Sequence, residues 1–168
     1  MQIKDKRLYF CYALPCAQTF VKRGKLKQEE LDKTIKDFSE GKNIDGFEKH
    51  FLIANRMLEI IASKMGKNEI DEQVIHQYYL IDHDKVVDAR FEEMKDFNPI
   101  QCKIKIGKVL SVSQGKAKVE TPFGISEYRT DFVHDLKQGD IVSVHYDFIS
   151  EKFDQKNLKN ILKSKPIL

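Results

Sequence analysis

The sequence predicts an α+β protein. A helical bundle spans residues 1–97, and a small OB-like β-barrel with a C-terminal helix spans 98–168. Three observations carry this reading. Up to about residue 95, apolar side chains recur at steps of three and four, the spacing of one helix face. The segment "KDFNPIQ" then interrupts the pattern, because the residue before Pro99 is pushed out of the α region. Beyond it the apolar period becomes two, the period of a strand with one buried face.

The elements are taken in chain order. In "QEELDKTIKDF", Leu31, Ile35 and Phe38 fall on one helix face. In "FEKHFLIANRMLEIIASKMG", Phe47, Phe51, Ala54, Leu58, Ile61 and Met65 do the same; Gly66 supplies the stop and Asn68 an N-cap for the next helix. "DEQVIHQYYLIDHDKVVDARFEEM" continues helical, with a break expected near His83, where Asp84 would cap a new start. Four or five short helices result, none able to bury its apolar stripe alone. In the second half, "KIKIGKVLSV" and "KAKVET" alternate around the turn "SQG" and read as a hairpin. Pro122 to Gly124 turn into "ISEYRTD", and "IVSVHYDFI" reads as the strongest strand. Short strands joined by glycine turns point to a closed or half-closed barrel of the OB or SH3-like kind. "DQKNLKNILKS" places Leu158, Ile161 and Leu162 at helical spacing and ends the chain in a helix.

Composition narrows the function classes. The chain has 168 residues, 41% hydrophobic and 33% charged, which is enough apolar material for a soluble protein with a core. The net charge of +3 is spread along the chain rather than blocked, so nucleic acid is not the partner that charge suggests. The best apolar run, residues 8–21, is too short to cross a bilayer and is interrupted by Pro15. The N-terminus shows no small-residue cleavage site, and the cysteine count of three is odd and sparse. Together they predict a reduced, cytoplasmic protein.

The candidate chemistry centres on Cys102 and His145. A thiolate is a soft metal ligand and a nucleophile, tuned by its surroundings. Alternation places Cys102 on the face of Ile104 and Ile106, so spacing alone also fits a small buried hydrophobe at a strand start. The same rule places His145 with Ile141, Ser143 and Asp147, the more polar face of its strand, where a surface histidine is the plainer reading and a ligand the sharper one. Cys11 and Cys16 are separated by four residues and lack a second pair to complete a zinc site, so packing is expected for both. "DHD" at 82–84 has carboxylates beside an imidazole, and His76 would share the face of His83 only on an unbroken helix. With no phosphate loop, Ser–His–Asp set or paired catalytic carboxylates, no enzyme activity is predicted.

"CKIKIGKVLSVSQGKAKVETPFG" and "LKQGDIVSVHYDFISEKFDQKNL" resemble the HypC/HupF hydrogenase assembly chaperone family. Cys102, Gly107, Lys108 and Val109 match its opening cysteine and "GKV" strand. Ala117, Lys118, Val119 and Gly124 match its second strand and turn. Gly139, Asp140, Val142, Val144, His145 and Phe148 match its late "G-D-x-V-x-V-H-x-x-F" run. The resemblance covers about 102–163. Here Cys102 is internal, whereas the family's cysteine becomes N-terminal, and Ile106 stands where the family has proline; Asp147 and Ile149 also differ from the family pattern. The resemblance implies a non-enzymatic carrier in which Cys102 holds iron bearing cyanide and carbonyl ligands, assisted by His145. It also implies docking on a maturation partner or a hydrogenase large subunit.

Two other classes stay open from the sequence. A small barrel can bind single-stranded nucleic acid, and Lys103, Lys105, Lys108, Lys116 and Lys118 with Phe123, Tyr128 and Tyr146 offer the residue types. A protein-interaction scaffold with degenerate chemistry is the third.

Overall fold

The computed structural model describes residues 1–91 and 98–168, with the side chain of Phe91 excepted. The boundary expected just before Asn98 and the end of the helix expected through Met94 lie at or within 92–97, outside the described residues.

The helical part starts with a short strand β1 (Gln2–Ile3), which pairs in parallel with β2 (Glu69–Ile70). Asp5 caps α1 (Lys6–Ala13), accepting from the Leu8 amide, and a 3-10 turn (Leu14–Ala17) with Pro15 as its second residue leads into α2 (Gln18–Lys22). The helix α3 (Gln28–Ser39) buries Leu31, Ile35 and Phe38, as its spacing predicts. The predicted helix from Phe47 is split: Phe47–His50 is a 3-10 turn, and α4 (Leu52–Lys64) comes after it. The expected face survives the split, with Phe51, Leu58 and Ile61 buried and Phe47, Ala54 and Met65 packed beside them. Gly66, at φ 70°, is the stop, because a left-handed residue there costs glycine least.

The next helix corrects two expectations. Its N-cap is Asp71, which accepts from the Val74 amide, not Asn68. Nor does it break near His83: α5 (Glu72–His76) runs through a π-helical segment (Gln77–Asp82) directly into α6 (His83–Phe91). A π segment turns more widely than an α-helix, so it rotates α6 relative to α5, and such segments are frequent at functional sites. His76 and His83 accordingly meet different partners although the helix is continuous.

Asn98 caps the short helix α7 (Pro99–Cys102), accepting from the Ile100 amide. The barrel comes next: β3 (Lys105–Ser113), β4 (Lys116–Thr121), β5 (Gly124–Arg129), β6 (Ile141–His145) and β7 (Phe148–Phe153) close in the order β3-β4-β5-β7-β6. All pairings are antiparallel except β5 with β7. The β3–β4 hairpin turns at Gln114 and Gly115, both with positive φ, the requirement of a two-residue turn that matches strand twist. "IVSVHYDFI" is not one strand, for it folds back at Tyr146 (φ 51°) and Asp147, so that His145 pairs with Phe148. The helix α8 (Gln155–Ile161) is capped by Asp154.

Val109, Ala117, Val119, Val142, Val144 and Ile149 fill the barrel and are almost fully buried. Each Val or Ile so buried is worth roughly 1.5–3 kcal/mol. Gly107 is required by closeness rather than by φ, since a Cβ there would lie 2.5 Å from Val119 Cγ1 and 2.6 Å from the Glu120 carbonyl oxygen. An aromatic series ties barrel to helices: Phe148 stacks on Phe132 at 4.9 Å, Phe132 meets Phe38 at 5.4 Å, and Phe38 meets Phe10 at 5.9 Å. Among the described residues no helix is long and apolar enough to cross a membrane.

Candidate metal centre

Four side chains converge where helices and barrel meet: Cys16, His83, Cys102 and His145. One ligand atom from each lies within 4.8 Å of all the others. Every one sits at or near an end of its element. Cys16 comes directly after Pro15 in the 3-10 turn, His83 is the first residue of α6, Cys102 the last of α7, and His145 the last of β6. The Tyr146 amide donates to the Gln101 carbonyl at 3.2 Å, which fastens α7 to the β6–β7 turn and holds Cys102 near His145.

His145 is fully buried, and its two nitrogens have separate tasks. Nδ1 lies 2.9 Å from the Tyr12 carbonyl oxygen, which can only accept, so Nδ1 carries the proton. Nε2 is then the bare nitrogen. It faces Cys16 Sγ at 3.4 Å and Cys102 Sγ at 3.9 Å. A backbone carbonyl fixing one ring nitrogen while the other points into a ligand cluster is the usual orientation of a metal-binding histidine. Burial lowers the His145 pKa, which keeps the ring neutral, the form a metal requires.

The other three donors set one another's protonation. The Cys16 thiol donates to Cys102, with the His83 ring adding to the effect, and this holds the Cys102 pKa far below the ordinary thiol range. Cys16 is driven the opposite way, by that bond and by burial, and keeps its proton. Burial works to lower His83, but the Asp84 carboxylate and the Cys102 thiolate overcome it and raise the ring to about 9. His83 Nδ1 lies 3.6 Å from Asp84 Oδ1 and has no hydrogen-bond partner among the described residues. A buried thiolate and a bare imidazole nitrogen facing two sulfurs suit a cation better than they suit one another. Two sulfurs with two imidazoles form the donor set of tetrahedral zinc or iron–sulfur chemistry. The group could hold a metal ion.

The structure thus brings Cys102 and His145 together, and corrects where each stands. Cys102 does not open the first strand on a core face shared with Ile104 and Ile106: it ends α7 and faces the helical part, and the barrel interior takes Gly107 and Val109 from β3 instead. His145 is on the outward face of β6, as alternation places it, but that face is covered by the helices rather than exposed. Reading the sequence alone missed Cys16 and His83. The one available signal for Cys16 was its position after Pro15, and for His83 its place in "DHD". Asp82 of that motif faces away from the cluster, buried and accepting from the Ile167 and Leu168 amides at 2.8 and 3.0 Å. Cys11 packs, as expected, with burial pushing its thiol up to about 12.

A second polar group crosses the same seam. Tyr12 donates to Glu151 Oε2 at 2.6 Å and lies 3.1 Å from Ser143 Oγ, while His76 Nε2 lies 2.9 Å from the same carboxylate. Burial, with the Glu151 carboxylate adding to it, drives the Tyr12 hydroxyl well above its ordinary range, so it remains a donor. No family model and no curated protein matches the chain.

Proposed function

We propose that this protein carries a transition-metal unit at Cys16, His83, Cys102 and His145 and serves as a non-enzymatic assembly chaperone, like the hydrogenase maturation factors that its barrel half resembles. One observation carries the reading. The two residues assigned by that resemblance, Cys102 and His145, lie side by side, with the His145 lone pair directed at the sulfur. Iron bearing cyanide and carbonyl ligands is the cargo that the resemblance implies, and a soft thiolate is a suitable anchor for it. In this chain Cys102 would supply the thiolate, His145 a neutral imidazole, and Cys16 and His83 two further donors from the helical part. Docking on a maturation partner or a hydrogenase large subunit belongs to the same proposal.

Infrared spectra of anaerobically purified protein from its own host, beside Cys102→Ser, test it. Cyanide and carbonyl bands in the parent that vanish in the variant are expected. Iron-free protein without such bands would overturn the carrier reading.

A second reading has its own support: the full four-donor set, drawn from both halves, is that of a structural zinc ion. Stoichiometric zinc without the infrared bands is its signature. The nucleic-acid reading draws less support, because Lys103 is tied to Asp88 at 2.7 Å and Lys118 pairs across the strands with Glu127.

A further inference from the structure

A cavity of about 420 Å³ opens beside the cluster, lined by residues from α2, α4, the π segment and α6. That volume lies within the range of small-molecule sites, about 300–1,000 Å³. Buried His83 and Cys102 lie at its inner end, and exposed Lys25 and Lys49 at its mouth. Between them Phe20, Phe51, Tyr78 and Val87 supply apolar wall. Protein interiors are packed to crystal density, so an apolar space of this size is a departure that invites an occupant. Apart from the cluster residues at its inner end, the charged groups of the lining are all basic: Arg23, Lys25, Lys49 and Arg90, with no Asp or Glu among the described residues. Lys25 and Lys49 make no ion pair among the described residues. Tyr79, another lining residue, has a buried hydroxyl without a hydrogen-bond partner there, a donor left for a guest.

We propose that this cavity binds a small amphiphilic carboxylate, its apolar body between the aromatic walls and its carboxylate at Lys25 and Lys49. The inference goes beyond the metal reading and does not require it, because neither lysine belongs to the cluster. A short apolar tail fits the enclosed volume, and the charge of the mouth selects an anion over a neutral analogue. Exposed Leu52 and Ile53 at the mouth extend the apolar contact for a longer tail.

The test is calorimetric titration of sodium octanoate and of 1-octanol into the full chain, both as purified and after treatment with a chelator. Lys25→Gln/Lys49→Gln is titrated in parallel; both positions are exposed, so folding should survive. Saturable one-to-one binding of octanoate is expected in both preparations, about tenfold or more tighter than octanol, and weakened about tenfold in the double variant, the size of one charged hydrogen bond. Absence of saturable binding, equal affinity for octanol, or an undiminished double variant would each overturn the proposal. Octanoate binding that persists in chelator-treated protein separates this result from any failure of the metal reading.

Discussion

The interior of the barrel and its seam with the helices are built from one strand by opposite rules. On β6, Val142 and Val144 point inward and meet only apolar neighbours, while Ser143 and His145 point outward. All four are fully buried. Inside the barrel, burial removes apolar surface from water and asks only for volume. At the seam, burial strips water from polar atoms, and each needs a named partner: Tyr12 for Ser143, and the Tyr12 carbonyl for His145 Nδ1, while His145 Nε2 faces the two cysteines. The contrast teaches that a polar strand face need not be a wet one. When a second layer covers it, the polar residues become a specific junction, and here that junction holds the candidate metal ligands.

The largest expected effect separates the two regions by pH. In metal-free protein Cys16 and His83 both hold protons below about 9, since both are raised from their ordinary values. A metal must displace those protons, so its affinity falls as pH falls from 9 towards 6, by about tenfold per pH unit for each proton released. Competition with a chelator across that range measures the slope. An affinity independent of pH would mean that neither group is a ligand.

Ile149→Ala probes the interior alone. It removes a fully buried side chain of the barrel and should lower unfolding stability by about 2–5 kcal/mol in urea denaturation while leaving metal stoichiometry unchanged. Loss of metal along with stability would show that the two regions are not separable. Gly107→Ala should cost somewhat less, about 1–3 kcal/mol, because the new methyl group must push Val119 or the β4 backbone aside. Tyr12→Phe is the mildest: it deletes the hydroxyl that donates to Glu151 yet leaves the carbonyl that orients His145, so a loss of about 1–2 kcal/mol with intact metal binding is expected. A Tyr12→Phe protein that loses its metal would join the two polar groups into one network.

Legibility in the sequence divides along the same line. The inward positions of β4 and β6, the α3 face and the Gly66 stop were readable, because a two- or 3.6-residue period depends only on local geometry, whereas β3 turns Gly107 and Val109 inward rather than the Ile104 and Ile106 face. The turn at Tyr146 was hidden inside an unbroken run of strand-forming residues, with a non-glycine residue at positive φ as its hinge. The π segment was equally hidden, although it separates the directions of His76 and His83. Half of the candidate centre came from the barrel pattern. Its other half, Cys16 and His83, depends on how the 3-10 turn after α1, α6 and the barrel half pack across sequence separations of 19 to 129 residues, and no local period carries that information.

The measurement that bears most directly on the seam is X-ray absorption at the edge of whichever metal copurifies with the full chain. Two sulfur and two nitrogen scatterers from the protein are expected in the first shell, beside the carbon of any cyanide or carbonyl ligands, becoming one sulfur in either Cys16→Ser or Cys102→Ser. A shell of oxygen and nitrogen alone, or one that neither substitution changes, would contradict a centre built by Cys16, His83, Cys102 and His145.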